Sequence, residues 1–163
     1  MDRGLITFYH WVRQTREALF AFTESLPEAV YLGEQDWIAY GSLRNIHAHV
    51  AECYNRWIGQ EWMGRAPAPV DRAAVRSTTA MRAVFADVAA LVSEALAGPE
   101  DLDQPLEVRV GGQKAETSRR NLILHTITHE FHHKGQLLAV ARMLGHPLPD
   151  DQDADLVFSS LSS

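Results

Sequence analysis

Residues 125–136 read HTITHEFHHKGQ, and this stretch decides how the chain is organised. Its histidines His125, His129 and His133 are spaced four residues apart, so on an α-helix each lies roughly 40° from the next, on one face. Apolar residues continue the same face a turn or two to either side. The pattern predicts a long helix, about residues 119–144, that carries imidazoles in the middle of its core-facing side.

The rest of the chain also has helical periodicity. The predicted helices cover residues 2–24, 42–64, 71 or 77 to 97, and 119–144. The apolar stripe of the first one consists of Leu5, Phe8, Val12, Leu19, Phe22 and Leu26. Ser42 and Ser118 are the predicted N-caps of the second and fourth helices. Four amphipathic helices, with one connection long enough to cross the bundle, predict a single all-α four-helix-bundle domain over residues 1–163.

The segment between residues 102 and 117 departs from this pattern. Leu106, Val108 and Val110 alternate with polar residues and are followed by two glycines. Such alternation is typical either of a short β-hairpin or of an extended loop, and it lies in the long connection before the last helix.

Composition excludes several classes of protein. The formal charge of −6 argues against binding to nucleic-acid phosphates, which requires clustered Lys and Arg. The single cysteine, Cys53, excludes an intramolecular disulfide and fits a reducing compartment. No apolar run approaches the ~20 residues of a membrane span, and the N-terminus, with Asp2, is unlike a signal peptide. We therefore expect a cytoplasmic protein that has no nucleic-acid or membrane partner.

The histidine series predicts a metal site. Two imidazoles at i and i+4 can converge on one ion, and buried imidazoles are costly unless a metal or hydrogen bonds satisfy them. The alternative is that they are groove histidines paired with hydroxyls and carbonyls. A third ligand is expected from the second helix, where His47 and His49 flank the two edges of the apolar stripe. A polar column beside His49 favours that residue.

The same string also matches H-E-x-x-H, in which two histidines bind zinc and a glutamate acts as general base. Here the glutamate is Glu130. The usual extensions of zinc proteases are missing, since Gln136 and Ala139 stand where a metzincin has Gly and His. Five residues of a histidine-rich helix match this motif easily by accident.

Two motifs together resemble a known superfamily. They are the run from Ser42 to His49 followed by Trp57, and the late run from His125 through His129 and His133 to Gln136. The pair is similar to the DinB/YfiT-like superfamily of four-helix-bundle metalloenzymes. The superfamily takes its name from DNA-damage induction, but the acidic charge gives no support for DNA contact.

The resemblance implies an up-down-down-up bundle, often a homodimer, with a divalent metal that is usually zinc or nickel. Carried over by position, the metal ligands are His49, His129 and His133. Lys134 departs from the usual Arg and lacks its bidentate fork. Tyr54 stands where an acidic residue is often found, so a role for that position is not transferred.

Two chemistries follow from an open three-histidine site, because a bound ion activates water or a thiol. In one, a small substrate is hydrolysed, with Glu130 or Gln136 positioning the water. In the other, which we favour, a low-molecular-weight thiol of the bacillithiol or mycothiol type attacks a small electrophile, as in several superfamily members. A non-enzymatic, metal-stabilised stress-response dimer is the alternative from a different class.

Other residues near the motifs have open roles. Arg44, Arg56 or Lys134 could meet the carboxylates of such a thiol, although each is more simply a solvated charge. Cys53, one turn from His49, is either a nucleophile or ligand, or a small buried hydrophobe. The predicted neighbours of the metal site are His47, His125 and His132.

Overall fold

The computed structural model describes residues 2–98, 101–150 and 152–154, and the ends of the predicted 1–163 domain lie outside them. The long helices are α1 (Arg3–Ser25), α3 (Leu43–Tyr54), α4 (Thr78–Ala97) and α5 (Arg119–Met143). A short helix α2 (Glu28–Leu32) follows α1, and α3 continues directly into a π-helical segment, Asn55–Trp62. Strands β1 (Pro105–Val110) and β2 (Gln113–Ser118) precede α5. The all-α fold class is confirmed.

Contacts between the helices establish the predicted up-down-down-up order. The N-termini of α1 and α5 meet where Arg120 pairs with Asp2, so these two helices are parallel. The start of α4 meets the end of α1, because the Thr78 hydroxyl donates to the Thr23 carbonyl. Along α3 and its π-helical continuation, the contacts to α5 run in reverse order, so α3 is antiparallel to α5. Consequently α3 and α4 are parallel, and residues 63–77 cross the length of the bundle.

The helix boundaries follow from local capping. The hydroxyls of Ser42 and Ser118 accept hydrogen bonds from Asn45 N and Asn121 N, both at 3.2 Å, as predicted for N-caps. Ser77 caps α4 in the same way, which selects residue 77 over 71 as the start of the third predicted helix.

Three local features differ from the sequence predictions. The loop predicted after α1 contains α2, which places Tyr31 in the core. The second predicted helix changes to i→i+5 hydrogen bonding after Tyr54, and such π-helical turns widen a helix and re-aim its later side chains. Phe8, predicted in the buried stripe, is 38 % exposed and stacks on Trp11, while its neighbour Tyr9 is buried instead.

The alternating segment forms a β-hairpin rather than an extended loop. Its strands are antiparallel, with Val108 opposite Ala115 and Val110 opposite Gln113. The two-residue turn consists of Gly111 and Gly112, whose φ angles of 58° and 84° are both positive. Positive φ at both central residues is the requirement of a type I′ hairpin turn, and glycine meets it without strain.

The helices of the described residues do not meet the requirements of a membrane span. Within the part of the chain that the structure describes, none of them has both the length and the apolar character that crossing a bilayer demands.

Candidate metal centre

Three histidines from two antiparallel helices converge at one point between α3 and α5. The Nε2 atoms of His49 and His129 lie 2.9 Å apart, and those of His129 and His133 lie 3.1 Å apart. One ligand nitrogen from each residue falls within 4.8 Å of the others. The structure thus brings together the three residues that the resemblance implied.

The donor set fits a first-row divalent cation. Imidazole nitrogens bind zinc at about 2.1 Å, so two of them on one ion can be at most about 4.2 Å apart. The two Nε2 separations given above are well inside that limit. Three protein ligands also leave room for a further ligand, which is typical of catalytic rather than structural zinc sites.

Gln136 fixes the orientation of one of these rings. Its Oε1 accepts a hydrogen bond from His133 Nδ1 at 2.7 Å, which leaves the lone pair on Nε2 facing the other histidines. The amide nitrogen of Gln136 donates to His132 Nε2 at 3.0 Å. The predicted site residue Gln136 is therefore beside the histidine group, as a partner that orients a ligand ring.

Burial keeps the three imidazoles neutral. It is the main cause that lowers the pKa of His49, His129 and His133, and the neighbouring histidines lower these values further. The pKa of His129 falls to about 4. A neutral imidazole has the free lone pair that metal coordination needs, so all three rings are in the ligating form at neutral pH.

Tyr40 covers one side of the group. Its ring stacks on His49 with centroids 4.2 Å apart and meets His133 edge-to-face at 5.6 Å. Its φ of 64° is in the left-handed region, which is rare for a bulky residue, and Asn45 Nδ2 holds its carbonyl at 2.8 Å. Strained backbone of this kind clusters at functional sites. Sequence reasoning missed Tyr40, and its only local signal is the turn glycine Gly41.

Glu130, a predicted candidate for positioning a water, lies in a buried ion pair. Both of its oxygens accept hydrogen bonds from Arg16, at 2.7 and 2.8 Å, and Oε2 also accepts from the Tyr54 hydroxyl at 2.7 Å. The residue is 4 % exposed, and the Arg16 guanidinium holds the pKa of its carboxyl below the usual range although burial opposes this. Because helix positions 129 and 130 differ by 100°, Glu130 faces the core instead of the histidine group.

Arg16 is a second residue that sequence reasoning missed. It is buried on α1, and its guanidinium also lies 4.7 Å from the centre of the Phe85 ring. The signal for it was a cation one turn beyond Val12 in an otherwise apolar stripe. Together with Glu130, it makes the H-E-x-x-H match unlike a zinc protease site, because the glutamate is engaged in a structural ion pair.

The chain is similar to one protein family over nearly its whole length. A sequence model of the DinB family matches residues 1–156. The chain belongs to the DinB family. A search of curated proteins returned no match. In this DinB protein, the histidine-rich group that can hold a metal lies between the second and fourth long helices of the bundle.

Three further histidines of this DinB protein, those predicted as neighbours of the site, lie on the same two helices as the group. His47 is buried on the core side of α3, hydrogen-bonded to the Tyr31 hydroxyl at 3.0 Å, and burial lowers its pKa to about 3. His125 and His132 are exposed, and their rings neighbour that of His129. His49 is thus the histidine of α3 that joins the group, and His47 is not.

Cys53 belongs to a second group of possible ligands. Its sulfur lies within 4.8 Å of ligand atoms of His125 and His129. Burial raises the pKa of the Cys53 thiol to about 12, so at neutral pH it is protonated and behaves as a small apolar side chain.

The three basic candidates have protein partners. Arg44 donates to Asn45 and Glu34, and Arg56 donates to the Arg109 carbonyl at 2.9 Å. Lys134 is buried, and its Nζ donates to the Ala154 carbonyl at 2.8 Å. Lys134 is therefore not the solvated charge that the sequence suggested.

Proposed function

We propose that this DinB protein is a metal-dependent enzyme that joins a low-molecular-weight thiol, of the bacillithiol or mycothiol type, to a small electrophile. The observation that carries the proposal is the convergence of three neutral Nε2 atoms from His49, His129 and His133. A divalent cation held there, zinc or nickel, would supply the positive charge that lowers the pKa of a thiol. The proposed location is the cytoplasm, where such thiols are kept reduced.

The surroundings of the histidine group support a thiol rather than water as the nucleophile. Hydrolysis benefits from a general base beside the attacking water. Both oxygens of Glu130 are occupied by Arg16 and Tyr54, and Gln136 is engaged with two histidine rings. A thiol ionises much more readily than water and needs no such base.

The residues of the chain have distinct parts in this reaction. The thiol loses its proton to solvent, its sulfur forms a bond to the electrophilic carbon, and the leaving group departs with the electrons of the broken bond. His49, His129 and His133 hold the cation, and Gln136 keeps the His133 ring in its ligating orientation. Tyr40 shields one face of the His49 ring from bulk water.

The experiment combines metal analysis with a thiol assay. We expect the purified chain to bind a divalent ion that a chelator removes, and the metal-loaded protein to accelerate transfer of bacillithiol, mycothiol or glutathione to 1-chloro-2,4-dinitrobenzene. His129→Ala should lose both metal and rate, whereas His10→Ala, an exposed histidine elsewhere on α1, should keep both. A chain without metal, or a metal-loaded chain inert with all three thiols, would contradict the proposal.

The same preparation tests two parts of the proposal. Cleavage of a p-nitrophenyl ester without any thiol would indicate a hydrolase instead. The homodimer that the family resemblance implies is checked by light scattering, where we expect twice the mass of the chain.

A further inference from the structure

The β-hairpin has one apolar face and one charged face. On the outer face, Glu107 lies opposite Glu116 in the strand register, and Arg109 lies opposite Lys114. On the inner face, Val108 is buried against the bundle, while Val110 remains 50 % exposed. An isolated two-stranded hairpin is only marginally stable, so the burial of Val108 attaches the hairpin to the bundle, and Val110 is the part of the inner face that remains uncovered.

A groove separates this inner face from α5 and the π-helical segment. Its volume is about 310 Å³, and the apolar part of its wall consists of Val108, Val110, Ala115 and Leu122. The Trp57 ring forms one side, and Thr117, Asn121 and His125 contribute the polar atoms. A mainly apolar cleft with a few polar groups is the usual character of a small-molecule site.

The groove adjoins the histidine group through His125. The His125 ring lies edge-to-face with Trp57, with centroids 5.5 Å apart, and its centroid is also 5.5 Å from that of His129. A larger cavity of about 440 Å³ lies against the loop before α4, but no histidine lines it. Of these two spaces, the groove beside the hairpin is the one next to the candidate metal ligands, because its wall includes His125, the ring neighbour of His129.

Two hydrogen bonds attach the hairpin to the π-helical segment beside the groove. The Arg56 side chain donates to the Arg109 carbonyl at 2.9 Å, and Glu61 accepts from Arg109 N at 3.1 Å. Both tethers come from the π-helical segment, which also carries Trp57. The segment that carries the Trp57 wall therefore also carries both hydrogen-bond partners of the hairpin wall opposite.

We propose that this groove binds the uncharged aromatic part of the small-molecule substrate, with Trp57 as its ring platform and His125 at the boundary with the metal ligands. This proposal rests on the proposed function, because the groove's ligand is a substrate only if the protein is a transferase. A dry cavity of about 150 Å³ accommodates benzene, so the groove has room for a substituted or fused aromatic ring. The Arg56 guanidinium lies 4.9 Å from the centre of the Trp57 ring, so the indole meets the ligand mainly by edge-to-face contact, which favours an aromatic ring over an aliphatic chain.

The test measures binding of an unreactive probe, 4-fluorobenzyl alcohol, to the full chain by ¹⁹F relaxation. We expect the wild-type protein to broaden the probe signal, with intermolecular NOEs to the Trp57 indole. Val110→Asp places a carboxylate at the groove's rim and should weaken binding about tenfold. Met143→Asp, which changes an exposed apolar residue at the end of α5, should leave binding unchanged.

A second variant protects the test against misfolding of the first. Ala115→Phe fills the groove from the opposite strand and should abolish probe binding without lowering the thermal midpoint. Absence of probe binding to the wild-type chain, or equal binding by all of these variants, would overturn the inference.

The result is independent of the transferase proposal. Probe binding that Val110→Asp and Ala115→Phe remove, in a protein inert with every thiol, would support the groove and contradict the transferase. The opposite outcome is a protein that transfers the thiol, while both variants keep the wild-type KM for the chromogenic electrophile and the wild-type affinity for the probe. This outcome would support the transferase and overturn the groove.

Discussion

Replacing Glu130 by Gln is expected to destabilise the fold and to leave metal binding intact. The Glu130 carboxylate pairs with Arg16 through two hydrogen bonds, of 2.7 and 2.8 Å, and both residues are 4 % exposed. The substitution leaves the Arg16 charge buried without a countercharge. Removing one partner of a buried ion pair typically costs about 3–5 kcal/mol.

The structure places the expected value at the lower end of that range. The Glu130→Gln variant retains an acceptor for the Tyr54 hydroxyl, and the Phe85 ring still faces the Arg16 guanidinium at 4.7 Å. We therefore expect a loss of about 3 kcal/mol in the free energy of unfolding. For a domain of this size that corresponds to a thermal midpoint lower by about 6–12 °C.

The assay is urea unfolding at pH 7.5, combined with metal analysis of the same samples. Glu17→Gln is the matched control, because Glu17 pairs with Arg82 at the surface, and surface pairs contribute at most about 1 kcal/mol. Arg16→Met combined with Glu130→Gln should recover part of the loss, since no charge is then left buried. Wild-type stability of Glu130→Gln together with loss of thiol transfer would contradict a purely structural role and indicate that Glu130 takes part in the reaction.

The same pair predicts the direction of a pH effect. The Arg16 guanidinium lowers the pKa of Glu130 below its value in the unfolded chain. Its contribution to stability is therefore fully present above the unfolded pKa, about 4.5, and is lost as the pH falls further. Glu130→Gln should flatten this acid limb of the stability curve, and an unchanged limb would mean that other groups cause it.

Three further predictions concern residues near the candidate metal ligands. Gln136→Leu should weaken zinc affinity about 10–100-fold in competition with a chelator, because His133 Nδ1 loses its acceptor, and Gln136→Glu should retain most of it. Burial raises the pKa of Cys53 to about 12, so its thiol should react with iodoacetamide at pH 8 at least about a hundredfold more slowly in the native chain than in the urea-unfolded chain. Mass spectrometry measures the two rates, and equal rates would contradict the burial of Cys53. Tyr40→Gly relieves about 1 kcal/mol of backbone strain but removes the ring that covers His49. We therefore expect faster transfer of zinc to a chelator with little change in the thermal midpoint. A large loss of stability with an unchanged rate of zinc release would contradict this.

The features that the sequence predicted well are those set by local spacing. The i, i+4 histidines of α5, the serine caps and the turn glycines each act over a few residues, so their geometry follows from helix and turn stereochemistry alone. The choice of His49 over His47 depended on which edge of the α3 stripe is polar, and the structure places His49 beside His129 and His133.

The features that escaped prediction depend on distant partners. Arg16 and Glu130 are 114 residues apart in sequence, so nothing near either one identifies its pairing. Tyr40 acquires its place from a loop conformation that propensity does not determine. The π-helical segment covers only eight residues, too few for its wider period to be distinguished from an ordinary helix.

Neighbouring residues on α5 face different parts of the protein, and this affects how the protein would acquire a metal. His129 and His133 belong to the candidate metal group, while their immediate neighbours Glu130 and Lys134 are buried about 100° further round the same helix. The ion pair with Arg16 therefore sets the rotation of α5 about its axis, independently of any cation. The ligand rings are pre-organised by folding, in contrast to zinc fingers, whose folding requires the ion. Removal and exchange of the metal should consequently take place within the intact native bundle. Folding has already restricted the conformations of the ligand rings, so metal binding costs little further conformational entropy.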